Sequence, residues 1–294
     1  MSSPSVLYDA PGPRARARNN LLSVLGIALL AGLGWLIYAK FNASGQWNAE
    51  KWKPFLKSST WTTYLLEGLK NTLKAAGIAM VLALLFGVTF ALGRLSDHRW
   101  VRVPAGFVVE FFRGIPLLLL IFFLFYGAPY VVPFDVPALW ALVFALTLYN
   151  GSVLAEAFRA GVLALPKGQT EAGYAIGLRK GQLMRLILVP QAARSMLPVI
   201  VSQLVVLLKD TALGYIIAYP ELLAQTNVIN ANYSNLLQSA IVVGAIFIAI
   251  NLLLGQLASL LERRFAPGRS SRLQAEMGAA TPLGVQGTAV APEG

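Results

Sequence analysis

Cysteine is absent from the 294 residues, and histidine occurs once, at His98. No disulfide framework, thiolate nucleophile or cysteine-held metal is available, and one imidazole builds neither a metal cluster nor a catalytic triad by itself. The chain also has no HExxH, no GxSxG, no carboxylates at metal-ligand spacing and no phosphate-cradling GxxxxGK[ST]. A membrane-embedded enzyme therefore finds no support in the residues, no cofactor is implied, and any ATP hydrolysis falls to another chain. Charge is scarce as well: 13% of residues are Asp, Glu, Lys or Arg, against roughly a quarter in an ordinary soluble domain.

What replaces charge is apolar length, since 56% of the residues are hydrophobic. A helix crossing roughly 30 Å of hydrocarbon needs about 20 mostly apolar residues. Six stretches qualify: roughly 21–39, 69–92, 107–126, 138–158, 197–219 and 236–261. The expected fold is all-α, a polytopic transmembrane helical bundle. The first run follows Arg14, Arg16 and Arg18 but is longer than a signal-peptide core and ends at Lys40-Phe41-Asn42 without a small-x-small site, so it reads as a retained anchor. Trp47, Trp52, Trp61 and Tyr64 are expected to mark the outer interface.

The formal net charge of +11 points, in such a chain, to basic cytoplasmic loops rather than to nucleic acid. With the N-terminus inside, sixteen cations fall in the N-terminal tail, the loop after the second span, the 159–196 insertion and the C-terminal tail, whereas the opposite side holds only Lys40, Lys51, Lys53 and Lys57. Both termini are thus expected in the cytoplasm. Residues 1–20 read as an N-terminal tail, 21–62 as an additional span with its outer loop, and 263–294, rich in Gly, Ala, Pro and Ser, as a disordered tail.

An insertion of about 38 residues is longer than ordinary connections and is expected to be either disordered or functional; its residues read as folded. Pro166-Lys167-Gly168-Gln169-Thr170 makes a turn, with Thr170 as an N-cap for a short helix that Gly177 stops in the left-handed region. A second short helix, about Gln182 to Val189, is expected to halt at Pro190. Glu171-Ala172-Gly173, three residues, Gly177, nine residues, Ile187 and then Val189-Pro190 resembles the EAA loop of permease subunits of bacterial ATP-binding-cassette importers. Gly173 stands for the second Ala of that signature and Val189 for its Leu. The resemblance implies that the loop's helix docks on a cytoplasmic ATPase, with Ala172 and Gly173 permitting close approach and Glu171 offering a charge. The bland alternative is an amphipathic surface helix with Gly177 as its C-cap.

Glu110-Phe111-Phe112-Arg113-Gly114-Ile115-Pro116-Leu117-Leu118, Lys167–Ala172, Leu188–Ala192 and Leu208–Leu213 are similar to segments of polar amino-acid permeases of the histidine and glutamate type. The short N-terminal Val6–Pro13 further resembles the second permease of actinobacterial glutamate importers. The resemblance implies a permease domain over 63–262 with a five-helix core, a bacterial cell-membrane location, and glutamate as substrate ahead of other polar amino acids. It further implies an ATPase, an extracytoplasmic solute-binding protein and a second permease, a paralogue rather than a copy. A passive channel or membrane anchor would have no reason to carry the EAA loop.

Ionisable groups at membrane depth are costly and should face protein, water or substrate. Glu110, Arg113, Lys209 and Asp210, with Thr211, are accordingly candidates for the substrate pathway. Lys209 would serve a carboxylate and Asp210 an ammonium, unless each satisfies a partner on another span. Glu110 and Arg113, three apart, equally suit a structural ion pair, and Glu156 with Arg159 reads as a membrane-boundary pair. Pro116 is expected to kink the third span.

Overall fold

The structure is a computed structural model describing residues 12–131 and 133–265. The expected terminal tail after residue 265 and most of the Val6–Pro13 segment lie outside the described residues. Helix dominates because a backbone in hydrocarbon must satisfy its own hydrogen bonds; among the described residues there is no strand.

The first helix, α1, runs Pro13–Ala43 and buries none of its residues. Two 3-10 turns follow, Ala49–Lys51 and Lys53–Leu56, before α2 (Ser58–Arg94). Helices α3 (Arg99–Gly114) and α4 (Leu117–Tyr130) form one broken span bent by 100° at Ile115-Pro116. Then come α5 (Ala138–Leu163), the short α6 (Lys167–Ala175), α7 (Lys180–Ile217), α8 (Ala224–Tyr233) and α9 (Leu236–Phe265). Among the described residues five helices are long and apolar enough to cross a membrane, and six segments are so if the broken pair counts as one span. The sixfold expectation stands, with the third span a sharp elbow rather than a mild kink.

Two local expectations are corrected. Helix α6 starts at Lys167 after Pro166 and not at Thr170; a fixed proline φ suits a first turn, so Pro166 sets the start. Pro190 does not halt the second helix. The backbone widens into a π-helical turn over Met184–Leu188, and Pro190 falls in the first turn of the segment that follows. There its missing N–H costs little, so α7 runs unbroken through the expected stop.

The core is a seam between α2 and α5. Ala75, Ala79, Ala83, Gly87 and Ala91 recur every fourth residue on α2, all buried, against Ala141, Ala145, Gly151, Ser152 and Ala155. A Cβ on Gly87 would sit 2.9 Å from the Leu154 Cβ and 3.2 Å from the Gly151 carbonyl oxygen. Such small-residue ridges let helices in lipid associate through close packing, where apolar bulk gives no advantage over acyl chains.

At the end of the bundle opposite the basic loops, polar side chains clamp the chain after α7 onto α2. Asn71 donates to the Pro220 carbonyl at 3.0 Å, the Tyr219 hydroxyl donates to the Asn71 carbonyl at 2.9 Å, and the Leu222 N–H reaches the Thr72 hydroxyl at 3.0 Å. Glu221, fully buried, accepts the N–H groups of Leu223 (2.7 Å) and Ala224 (2.6 Å) at the start of α8. Burial pushes its carboxyl up to about 7 against the pull of those two donors.

Candidate functional site

The EAA-type segment folds as a helix with a completed stop. Gly177 has φ +81°, its N–H bonds to the Tyr174 carbonyl at 2.9 Å, and the Leu178 N–H reaches back to Gly173 at 3.0 Å. This is the paired-bond glycine terminator that only a residue without Cβ adopts cheaply. Glu171 and Ala172 are exposed, as are Tyr174 and Ile176, so one face of α6 is free for a partner. Gly173 is buried and points the other way: a Cβ there would lie 2.5 Å from Leu183. Its smallness serves the packing of α6 on α7 rather than approach to another chain.

The charges at the basic end pair across helices. Arg94, at the end of α2 and with only 12% of its side chain exposed, contacts Glu110 on α3 at 3.1 Å and Glu156 on α5 at 2.7 Å. Glu156 also holds Arg159 at 2.6 Å, so the two expected partners do pair. Glu110 and Arg113, three residues apart, are not paired; a helix-neighbour rule could not foresee that Arg94 packs between them and α5. Lys180, the first residue of α7, donates to the Leu95 carbonyl at 2.9 Å and pairs with Asp97 in the α2–α3 turn. That hydrogen bond holds the Asp97 carboxyl below its ordinary value.

Further along α7 the three adjacent candidates separate. Lys209 lines an open cleft of about 560 Å³ between α7 and α9, with Val205, Ala212, Phe247 and Asn251 on its walls. Asp210 turns toward α5, where the Asn150 amide lies 3.5 Å from it and Gln203 donates to the Asn150 oxygen at 2.6 Å. Thr211 is buried and gives its hydroxyl to the Leu208 carbonyl at 2.6 Å. The five pathway candidates therefore do not converge: Glu110 belongs to the Arg94 cluster, Arg113 is exposed nearby, and Lys209 alone faces the cleft.

Sequence reasoning missed Asn251. Its amide nitrogen donates to the Phe247 carbonyl at 2.7 Å, leaving a buried oxygen without a partner on the wall that Lys209 shares. The Lys209 ammonium can take a carboxylate from the cleft, whereas the Asn251 oxygen is shielded within its wall. A lone Asn in an apolar run was the available signal, because polar groups at membrane depth are rarely idle.

Five to six apolar helices, one of the segments sharply broken, and a glycine-terminated surface helix between two of them define a multi-pass membrane permease. Residues 79–267 match the family described as the binding-protein-dependent transport system inner membrane component, and the chain belongs to that family. It is 44% identical over 236 residues to the glutamate transport system permease protein GluD of Corynebacterium glutamicum, covering 79% of this chain and 85% of that protein. To the arginine transport system permease protein ArtQ of Bacillus subtilis it is 32% identical, over 68% of this chain and 92% of that one. Among solved structures, an amino acid ABC transporter crystallised with histidines superposes with a TM-score of 0.67 at 30% identity, over 71% of this chain and 98% of that one. An inward-facing methionine transporter shares the fold, with a TM-score of 0.62 at 18% identity over 72% and 100% of the two chains.

Proposed function

We propose that this chain is one of two permease subunits of an ATP-driven glutamate importer in a bacterial cell membrane, paired with a paralogue. Both termini lie in the cytoplasm, residues 21–62 add a span and outer loop, residues 63–262 form the permease domain, and the terminal tails flank them. The observation that carries the substrate is the 44% identity to a glutamate permease across most of both chains, and the Lys209 ammonium in the cleft suits an acidic side chain. Glu171, Ala172 and Gly177 serve docking on a separate ATPase that hydrolyses the ATP, and an extracytoplasmic binding protein delivers the substrate.

The test is uptake of radiolabelled glutamate into proteoliposomes holding the assembled complex, with and without binding protein and ATP, and with arginine or glutamine as competitors. ATP-dependent glutamate uptake resisted by neither competitor is expected. Preferred uptake of another amino acid overturns glutamate but leaves the importer; uptake without ATP overturns the importer. Because the chain lacks cysteine, single cysteines at Ser58, Ser234 and Gln169 report orientation directly. An impermeant reagent should label the first two from outside and Gln169 only from inside; outside labelling of Gln169 reverses the topology.

A further inference from the structure

Helix α6 does not rest on a continuous apolar bed. Between it and the bundle lies a cavity of about 300 Å³ lined by Leu95, Lys167, Thr170, Tyr174, Lys180 and Leu183. Packed side chains transmit displacement because they have no room to yield, and this gap confines that route from α6 to the contact of Gly173 with Leu183. Lys180, on the α7 wall of the gap, ties α7 to the end of α2 and to the α2–α3 turn through its bond to the Leu95 carbonyl and its pair with Asp97. Leu95 directly follows Arg94, and Arg94 ties the ends of α2, α3 and α5 through Glu110 and Glu156. Lys180 is also the first residue of the helix that carries Lys209, about 40 Å further along at 1.5 Å per residue.

We propose that Lys180 and Arg94 are positioning residues for energy coupling. Lys180 is the pivot that divides a displacement of α6 between α7, which moves the wall of the Lys209 cleft, and the Arg94 clamp, which holds α2, α3 and α5 as one frame. Stability alone does not account for the clamp: a half-buried ion cluster adds little over apolar residues of the same size, whereas it does fix one arrangement of the helices it joins. The cluster pairs two arginines with two glutamates, so each charge in it meets a counter-charge.

The inference rests on the reading of α6 as the ATPase-docking helix, and the experiment separates the two. In proteoliposomes of the complete complex, ATP hydrolysed and glutamate imported are measured together for the parent protein, Lys180→Gln, Arg94→Gln, Arg94→Lys and Gly177→Val. The two Gln variants are expected to assemble with the ATPase yet hydrolyse about threefold more ATP, or more still, per glutamate, with Arg94→Lys in between. A purely structural role would lower hydrolysis and uptake in parallel and leave their ratio unchanged, which overturns the proposal. Lys180→Gln alters a half-exposed side chain, so it remains informative if Arg94→Gln does not fold. Gly177→Val is expected to abolish stimulated hydrolysis and uptake together. If it does so while both Gln variants keep the parental ratio, the pivot is wrong and docking survives; if Gly177→Val behaves as the parent, docking itself is wrong.

Discussion

Helices α2 and α5 meet closely through Ala, Gly and Ser along the Ala75–Ala91 ridge, whereas α7 and α9, though in contact, open between them a cleft that holds Lys209 and Asn251. The first contact fixes distance, since neither backbone can approach or withdraw without losing close packing along the whole ridge. The second leaves room and leaves the Asn251 oxygen unsatisfied, which costs stability that the close-packed seam does not lose. The same lipid environment thus yields a rigid frame on one side of the molecule and a working surface on the other.

The comparison breaks most sharply if the seam tolerates bulk. Gly87→Leu would drive a side chain into Leu154 and the Gly151 backbone, and because the obstacle includes main chain, it should exceed the 1–3 kcal/mol or so usual for overpacking. The expected outcome is loss of the folded monomer from detergent extracts on size-exclusion chromatography. Normal yield and melting temperature would mean the seam is not the frame. On the cleft side the effect should fall on transport and not on folding. Lys209→Met should assemble normally and lose roughly tenfold or more of glutamate uptake, the value of one charge-assisted hydrogen bond. Unchanged uptake removes Lys209 from the pathway, and failure to assemble makes it a strut.

How much of this contrast is legible in the sequence differs between its halves. Span number follows from apolar length alone, and the Pro116 break from proline chemistry, although a local rule gives no angle and the observed bend is 100°. The four-residue ridge from Ala75 to Ala91 is present in the sequence, but inside an apolar run small residues blend with those that merely face lipid. The glycine stop at 177 is readable because it is local in the chain. Asn150, Gln203 and Arg94 are not, since each acquires meaning only from a partner on another helix; Arg94 meets Glu156 after two intervening turns of the bundle. Local rules failed where tertiary structure changed the local problem, as at Pro190, which a π-helical turn accommodates.

Glu221 offers a test between the two extremes, since its corner is sealed like the seam yet polar like the cleft. Its carboxyl is raised from an ordinary value near 4.5 to about 7, so the folded state binds the proton more tightly than the unfolded one. Its contribution to stability should therefore be greatest below about pH 4.5, fall as pH rises toward 7 and level off above, by up to roughly 3 kcal/mol. Glu221→Gln should flatten that segment in thermal melts of the detergent-solubilised protein between pH 4.5 and 8. An identical slope in parent and variant would assign the pH dependence to another group.

The smallest expected effect compares two glycines that matter for opposite reasons. Around Gly177 nothing lies within 4 Å of a built Cβ, and only its φ of +81° resists a side chain; at Gly87 φ is ordinary and only space resists. Gly177→Ala should then cost about 1 kcal/mol of local helix-stop stability. Asn, which enters the left-handed region more readily than other residues, should recover part of it. Hydrogen exchange of the Gly177 and Leu178 amides, whose bonds close the stop, reads this directly: protection should fall in the order Gly, Asn, Ala. At Gly87 the order must differ, because Ala is the smaller intruder and Asn the larger, so Asn should be the more damaging there. If Asn and Ala rank alike at both positions, backbone conformation is not what sets Gly177 apart, and the end of α6 is held by side-chain packing after all.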